Sequence, residues 1–259
     1  MTDVTRISGE NEMKNNRVGQ ITTDLIEAIG AVCVRHSVTH DEYRNAVDFV
    51  SQAIDAGERS LLFDAFLEAN IVASDPTKTT GTTSQVLGPF YIPDMPLLAD
   101  GVLARFSEPG ERLAVSGSVL STDGVSISNA ELDFWQADAD GRYSNFSEGV
   151  AEHNLRGKIR SKSDGSFLLQ TVKPAQYTIP DNGPTGVLLK SIGRHSWRPA
   201  HLHVIVRHRD YQTLTTQIYF QGDEYLATDA VRAASDDLAF PLCKNEDGLS
   251  LVFDLVLRK

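Results

Sequence analysis

The stretch Arg198-Pro199-Ala200-His201-Leu202-His203-Val204-Ile205-Val206 constrains the fold of this chain most tightly. Leu202, Val204 and Val206 alternate with His201 and His203, and a strand sends successive side chains to opposite faces. One face therefore joins a core. The other carries two imidazoles about 7 Å apart along the strand. Such a pair either hydrogen-bonds on a half-buried strand or binds one metal ion, and spacing alone leaves both open.

The same period of two runs through the C-terminal part of the chain. Leu113, Val115, Gly117 and Val119 alternate before Asp123-Gly124, and Leu132, Phe134 and Gln136 before Asp140-Gly141. Ile159 opens a further strand, Asp164-Gly165 turns it, and Phe167, Leu169 and Thr171 continue. His201–Val206, Leu214–Phe220 and Leu249–Leu257 follow, with a short helix expected over Asp229–Asp237. Short strands punctuated by Asp-Gly predict an antiparallel β-sandwich over residues 106–259.

Residues 1–105 read differently, as a helical region and linker. The polar residues 1–16 are expected to be loosely held. Val18, Ile21, Leu25, Ile29 and Val32 then form an apolar stripe at helical spacing. Thr39-His40-Asp41-Glu42 has the form of a capping box. It opens a second helix with Tyr43, Val47, Val50 and Ile54, ending near Gly57. A third helix runs from Arg59 through Leu62, Phe66 and Ile71, stopping before Asp75-Pro76. Thr77 to Ser84 is a Thr/Gly-rich linker. Val86-Leu87-Gly88-Pro89-Phe90-Tyr91 is an apolar bend, suited either to cover a core or to form the lip of a pocket. The fold class is mainly β with an α-helical N-terminal part.

A formal net charge of -11 over 259 residues disfavours nucleic acid and anionic membranes as partners. Cys33 and Cys243 form no C-x-x-C pair, so neither a disulfide framework nor a zinc-thiolate site is expected. Without a signal-like N-terminus or a long apolar run, the chain reads as cytoplasmic and not an integral membrane protein.

Two tyrosines can join the imidazoles. Tyr143 follows the Asp140-Gly141 turn, and Tyr177 sits in an extended stretch flanked by Pro174 and Pro180. Each alone reads as a packing residue with a satisfied hydroxyl. His153 with Glu148 and Glu152 reads as a solvated loop. If Tyr143, Tyr177, His201 and His203 converge, two phenolates and two imidazoles form a hard donor set. That set suits Fe(III) better than zinc, calcium or magnesium, because a trivalent ion can draw a tyrosine pKa down from about 10.

These residues, with their neighbours, resemble the intradiol ring-cleavage dioxygenases. The matching segments are Leu132-Asp133-Phe134-Trp135-Gln136-Ala137-Asp138 through Gly141-Arg142-Tyr143-Ser144, and Tyr177-Thr178-Ile179-Pro180 with Gly183-Pro184 and Gly186. Gly193-Arg194-His195, Arg198-Pro199-Ala200-His201-Leu202-His203, and Thr216-Gln217-Ile218-Tyr219-Phe220 with Gly222-Asp223 complete the set. The resemblance implies one Fe(III) per chain, held by Tyr143, Tyr177, His201 and His203, and O2-dependent cleavage between adjacent ring hydroxyls. It implies that Tyr177 leaves the metal when substrate binds and that Arg198 and Gln217 serve the reaction. On an unbroken strand Arg198 would face away from the histidines, so Pro199 must bend the backbone. The resemblance also implies a catalytic β-sandwich and a homodimer formed through the N-terminal helices, around a bound phospholipid in some members.

Val86-Leu87-Gly88-Pro89-Phe90 resembles the hydroxyquinol-cleaving branch. Val86, Leu87, Gly88 and Phe90, with Leu67 and Asn70, are expected to line the ring pocket. That branch implies an acidic residue near Asn70, where an amide stands instead. Cleavage of hydroxyquinol is the leading reading and cleavage of catechol or a substituted catechol the alternative. A sugar- or peptide-binding β-sandwich and a zinc hydrolase are the readings from other classes. The hydrolase lacks a carboxylate motif near the histidine pair.

Overall fold

The computed structural model describes residues 4–74, 80–106 and 108–259. Its contacts form two compact units, one ending at Asp55 and one spanning Ala56–Lys259. The change of period near 105/106 falls inside the second unit.

The first unit holds helices α1 (Val4–His36) and α2 (His40–Asp55). Of the residues expected to be loosely held, those from Val4 onward lie in α1. Glu10, Glu12, Met13 and Lys14 lack an apolar face but are good helix formers, and α1 runs through them. Positions 1–3 lie outside the described residues. The capping box at the start of α2 is formed as the sequence predicts. Glu42 N–H donates to Thr39 Oγ1 at 3.2 Å, and Thr39 N–H donates to Glu42 Oε2 at 2.8 Å. The stripe Val18, Ile21, Leu25, Ile29 and Val32 is exposed along α1.

The second unit opens with the third predicted helix, which is interrupted. Helix α3 (Arg59–Phe63) passes into a π-turn at Asp64–Glu68 and then into α4 (Ala69–Ala73). π-turns inside helices are frequent at functional sites. The predicted stop at Asp75-Pro76 and the start of the linker, 77–79, lie outside the described residues.

Two five-stranded sheets follow. One contains β1 (Arg112–Ser121), β4 (Ser166–Val172), β10 (Cys243–Asn245), β11 (Gly248–Val252) and β12 (Leu255–Leu257). The other runs β3 (Arg156–Arg160), β2 (Glu131–Gln136), β7 (His201–His208), β8 (Tyr211–Phe220), β9 (Ala239–Phe240). Their inner faces supply one core: Leu113, Val115, Phe167, Leu251 and Leu255 meet Leu132, Phe134, Leu202, Val204 and Ile218. The sandwich is therefore as read, but its pairing is mixed. β1 pairs in parallel with both β11 and β12, and β8 pairs in parallel with β9. The sequence gives strand period but not strand direction, because the C-terminal strands return to β1 from far away along the chain. The predicted strand 249–257 is also split, between Val252 and Leu255.

Two expectations about helices are corrected. Asp229–Asp237 is a turn flanked by 3-10 turns at Leu226–Thr228 and Asp236–Leu238. Asp229 there accepts bonds from the N–H groups of Val231, Ala233 and Ala234, side-chain bonding that competes with helix. Conversely, α5 (Pro184–Ser191) forms where no helix was expected, with proline in its first turn. A two-stranded ribbon, β5 (Tyr177–Thr178) with β6 (Trp197–Arg198), lies beside it in the chain. Among the described residues no helix is long and apolar enough to cross a membrane.

Gly117 on β1 shows how closely the strands pack. A Cβ there would stand 1.6 Å from the carbonyl oxygen of Phe253, a backbone atom that cannot rotate away. Gly117→Ala is expected to cost about 3 kcal/mol. Calorimetry should show Tm lowered by roughly 6–12 °C, and an unchanged Tm would contradict the packing described.

Candidate metal centre

The inward residues of β7 lock the strand into the sandwich core, which fixes the direction of its other face. His201 and His203 project from that face, both almost fully buried. Register places Trp135 of β2 on one side of His203 and Gln217 of β8 on the other, with Tyr219 beside His201. Trp135 stacks on the His203 ring, centroids 4.5 Å apart and planes within 9°. The two Nε2 atoms stand 3.1 Å apart.

Tyr143 arrives from the turn after β2. Asp138 organises that turn by accepting the N–H groups of Asp140 and Arg142. Gly141 adopts φ +82°, and a Cβ there would meet Gln176 O at 2.8 Å and Tyr177 Cβ at 3.0 Å. This close approach brings the two tyrosine-bearing segments together. The Tyr143 and Tyr177 rings meet edge to face at 5.4 Å, and Tyr177 lies 5.6 Å from the His201 ring. All four predicted donors thus gather on one face.

The protonation of the group follows from its partners. His201 Nδ1 lies 2.7 Å from Pro199 O, which can only accept, so Nδ1 carries the proton and Nε2 keeps its lone pair. Burial, then the charge of Arg198, push the His201 pKa down to about 3. Burial and the neighbouring cationic groups push His203 well down too. Both imidazoles are neutral near pH 7. Burial and the proximity of Tyr177 raise Tyr143 well above the usual phenol range, although Arg198 and Arg156 oppose this. Its hydroxyl is buried and has no hydrogen-bond partner among the described residues. A buried phenol without a partner, beside two neutral imidazoles whose Nε2 atoms converge, fits a metal ion.

Arg198 lies on the same side as these donors because Pro199 separates β6 from β7. Register pairs it with Tyr177, and Nη1 stands 3.4 Å from Tyr177 Oη and 3.3 Å from His201 Nε2. Its charge is matched by Asp229, at 3.0 Å from Nε and 3.2 Å from Nη2. Burial opposes both charges. The partnership nevertheless holds Arg198 well above its ordinary range and Asp229 below the usual carboxylate range. Gln217 Oε1 accepts from Arg198 Nη2 at 2.9 Å and from Tyr219 Oη at 2.7 Å, while Gln217 Nε2 donates to Val86 O at 2.8 Å.

The predicted lining divides into two groups. Gly88 adopts φ +73° and passes so close that a Cβ would lie 3.4 Å from His203 Cε1. Phe90 stacks on Tyr143 at 4.3 Å. Val86 and Leu87 belong to the same bend, with Val86 buried. Leu67 and Asn70 stand before the bend in the chain, at the end of the π-turn and in α4. Leu67 is 49% exposed, and the Asn70 amide reaches back to Phe66 O at 3.4 Å. Leu61 and Ala65 instead pack in the cluster that holds Tyr143 and Tyr177.

Glu68 closes the π-turn and is half-buried. Burial and then Asp64 raise its pKa, while the Leu87 N–H and Arg198 oppose the rise. Asp64 is raised by burial alone. His153 and Glu152 stay at the surface, 3.7 Å apart. Among the described residues no three His, Cys, Asp or Glu side chains gather as a metal cluster.

Sequence reasoning missed Asp229, Tyr219, Arg156, Leu61, Ala65, Asp64 and Glu68. Leu61, Ala65 and Glu68 follow the helical spacing i, i+4, i+7, which could have selected them. Tyr219 follows from its alternation with Gln217. Asp229 carries no local signal.

Residues 86–259 match the family described as Dioxygenase, and residues 15–83 match that described as Catechol dioxygenase N terminus. The chain is similar to a chlorocatechol 1,2-dioxygenase of Cupriavidus pinatubonensis, 36% identical over 88% of this chain and 89% of that one. It is also similar to a 6-chlorohydroxyquinol 1,2-dioxygenase of the same organism, 35% identical over 94% and 91%. Among solved structures, 3-chlorocatechol 1,2-dioxygenase of Rhodococcus opacus superimposes with a TM-score of 0.88. It is 35% identical, over 94% of this chain and 99% of that one.

The depressed histidine gives a pH dependence with a definite sign. In the unfolded chain His201 titrates near about 6.5, whereas in the fold it titrates at about 3. On acidification the unfolded state takes up the proton first. Stability of the metal-free protein is then full above about pH 6.5 and declines below it, by at most about 1.4 kcal/mol per pH unit for this group. Urea midpoints should fall between pH 7 and pH 5 and fall less in His201→Gln. Equal pH slopes in both proteins would contradict the assignment.

Proposed function

This chain belongs to the intradiol ring-cleavage dioxygenase family, whose members act on catechol- and hydroxyquinol-type diols, and we propose that within it this protein acts on hydroxyquinol (1,2,4-trihydroxybenzene). Cleavage between adjacent hydroxyls with O2 would give a maleylacetate-type product. The observation that carries the chemistry is the convergence of Tyr143, Tyr177, His201 and His203, with the His201 lone pair directed inward and the Tyr143 hydroxyl unpartnered.

One ferric ion per chain, held by those four residues, is part of the proposal. It would supply a Lewis acid for the adjacent ring oxygens. The chain's own groups divide the remaining work. Tyr177 would take a substrate proton on its phenol oxygen, which lies beside Arg198. Arg198, held by Asp229 and Gln217, stabilises negative charge building on the ring. Val86, Leu87, Gly88 and Phe90 form an apolar wall that orients the ring and excludes water.

The substrate choice rests on Glu68 with Asp64. A half-buried carboxyl facing the Leu87 bend can accept a bond from a third ring hydroxyl. Glu68, two residues before Asn70, would then stand in for the acid expected near that position. Catechol or chlorocatechol is the second reading. It is favoured by the relatives named for chlorocatechol and by the apolar wall around Leu87. The exposed stripe of α1 supports a homodimer formed through the N-terminal helices, covering that stripe directly or around a phospholipid.

Oxygen uptake with hydroxyquinol, catechol, 3-chlorocatechol and pyrogallol separates these readings. Hydroxyquinol should give the highest kcat/KM. Glu68→Leu should reduce the hydroxyquinol-to-catechol preference by about 10- to 100-fold, in line with an unpaired hydroxyl. A chlorocatechol preference that Glu68→Leu leaves in place would reject hydroxyquinol and keep the family chemistry.

A further inference from the structure

Arg156 at the start of β3 is almost fully buried. Its guanidinium donates Nε to Ser144 Oγ at 2.8 Å, Nη2 to Ser144 O at 3.1 Å and Nη1 to Phe90 O at 2.5 Å. All three acceptors are neutral. The acid that acts on it from a distance, Asp133, is already paired with Arg207 at 3.2 Å. Burial lowers the Arg156 pKa to about 10, so the group stays charged near neutrality. A buried cation without an anion is costly, and proteins seldom keep one without a use.

The anion is missing on the side of Tyr143. The guanidinium carbon lies 5.9 Å from the Tyr143 ring centre, and the residues it binds, Ser144 and Phe90, are the chain neighbour and the stacking partner of that tyrosine. The second cation near the phenols is different. Arg198 touches Tyr177 and also acts on Tyr143, but it is already paired with Asp229. Of the two cations that bear on Tyr143, only Arg156 lacks a carboxylate partner of its own.

We propose that Arg156 is the built-in counter-charge and positioning residue of Tyr143. It holds this tyrosine as the permanently bound anionic ligand and leaves Tyr177 as the one that can let go. This deepens the ferric reading of the site and rests on it. The charge acts through space on the phenolate, while the three hydrogen bonds fix the Phe90 ring against it.

A cation beside a phenolate lowers its donor level, so removing the cation moves a tyrosinate-to-iron absorption band to longer wavelength. The test uses full-length, iron-loaded protein and reads the visible band and the loss of iron to a chelator. Arg156→Gln should move the band to longer wavelength and weaken iron retention by about 10- to 100-fold. Arg156→Lys should lie between it and the wild type. Phe146, half exposed with Arg156 5.6 Å from its ring centre, allows the charge to be altered without touching the arginine. Phe146→Glu should move the band in the same direction and Phe146→Gln should not.

Identical bands in the two Phe146 variants would overturn the proposal. So would Arg156→Lys losing iron as readily as Arg156→Gln, since geometry rather than charge would then decide. Should the Arg156 variants not fold, the Phe146 pair decides alone. Wild-type protein that takes up no iron and shows no band would instead reject the ferric reading itself, and this inference with it.

Discussion

Arg198 and Asp229 carry opposite charges into the interior, 3.0 Å apart, and the outer face of the second sheet is assembled on them. Desolvating such a pair costs several kcal/mol per ion, and removing one partner typically costs about 3–5 kcal/mol. The surroundings offset this with a full set of bonds. Asp229 accepts three backbone N–H groups in the 229–234 turn, and Arg198 bonds Gln217 and lies against Tyr177 and His201. One ion pair thereby joins β5, β6, β7, β8 and the turn after Leu226–Thr228, the elements that position the donors.

Much of this was legible because strands have a strict period. Once Leu202, Val204 and Val206 are assigned to the core, His201 and His203 have only one face left, and the structure places them there. Tyr143 was legible through its turn, since Asp140-Gly141 ends the strand in which Leu132 and Phe134 face the core. The direction of Arg198 was legible only as a condition on Pro199, and the break between β6 and β7 meets it. Asp229 was not legible. Its partner is 31 residues away, and an Asp in a polar turn looks like any other until the chain has folded. The helix that begins at Arg59 illustrates a different limit. A short helix with apolar residues on more than one side does not declare its buried face, and here Leu61 and Ala65 are the residues packed with the tyrosines.

The direction of strand pairing was the other gap. Alternation is the same in parallel and antiparallel sheets, so the parallel contacts of β1 with β11 and β12 left no mark on the local pattern. They matter to the site only indirectly, by closing the sandwich against which β7 is packed.

The account turns on four side chains forming a single ferric coordination sphere with two different kinds of donor. X-ray absorption on the iron-loaded protein measures this directly. The account predicts low-atomic-number scatterers alone, with the multiple-scattering signature of two imidazoles, and the loss of one oxygen scatterer in Tyr143→Phe with the imidazole signature retained. A sulfur scatterer, or an iron shell unchanged by Tyr143→Phe, would contradict it.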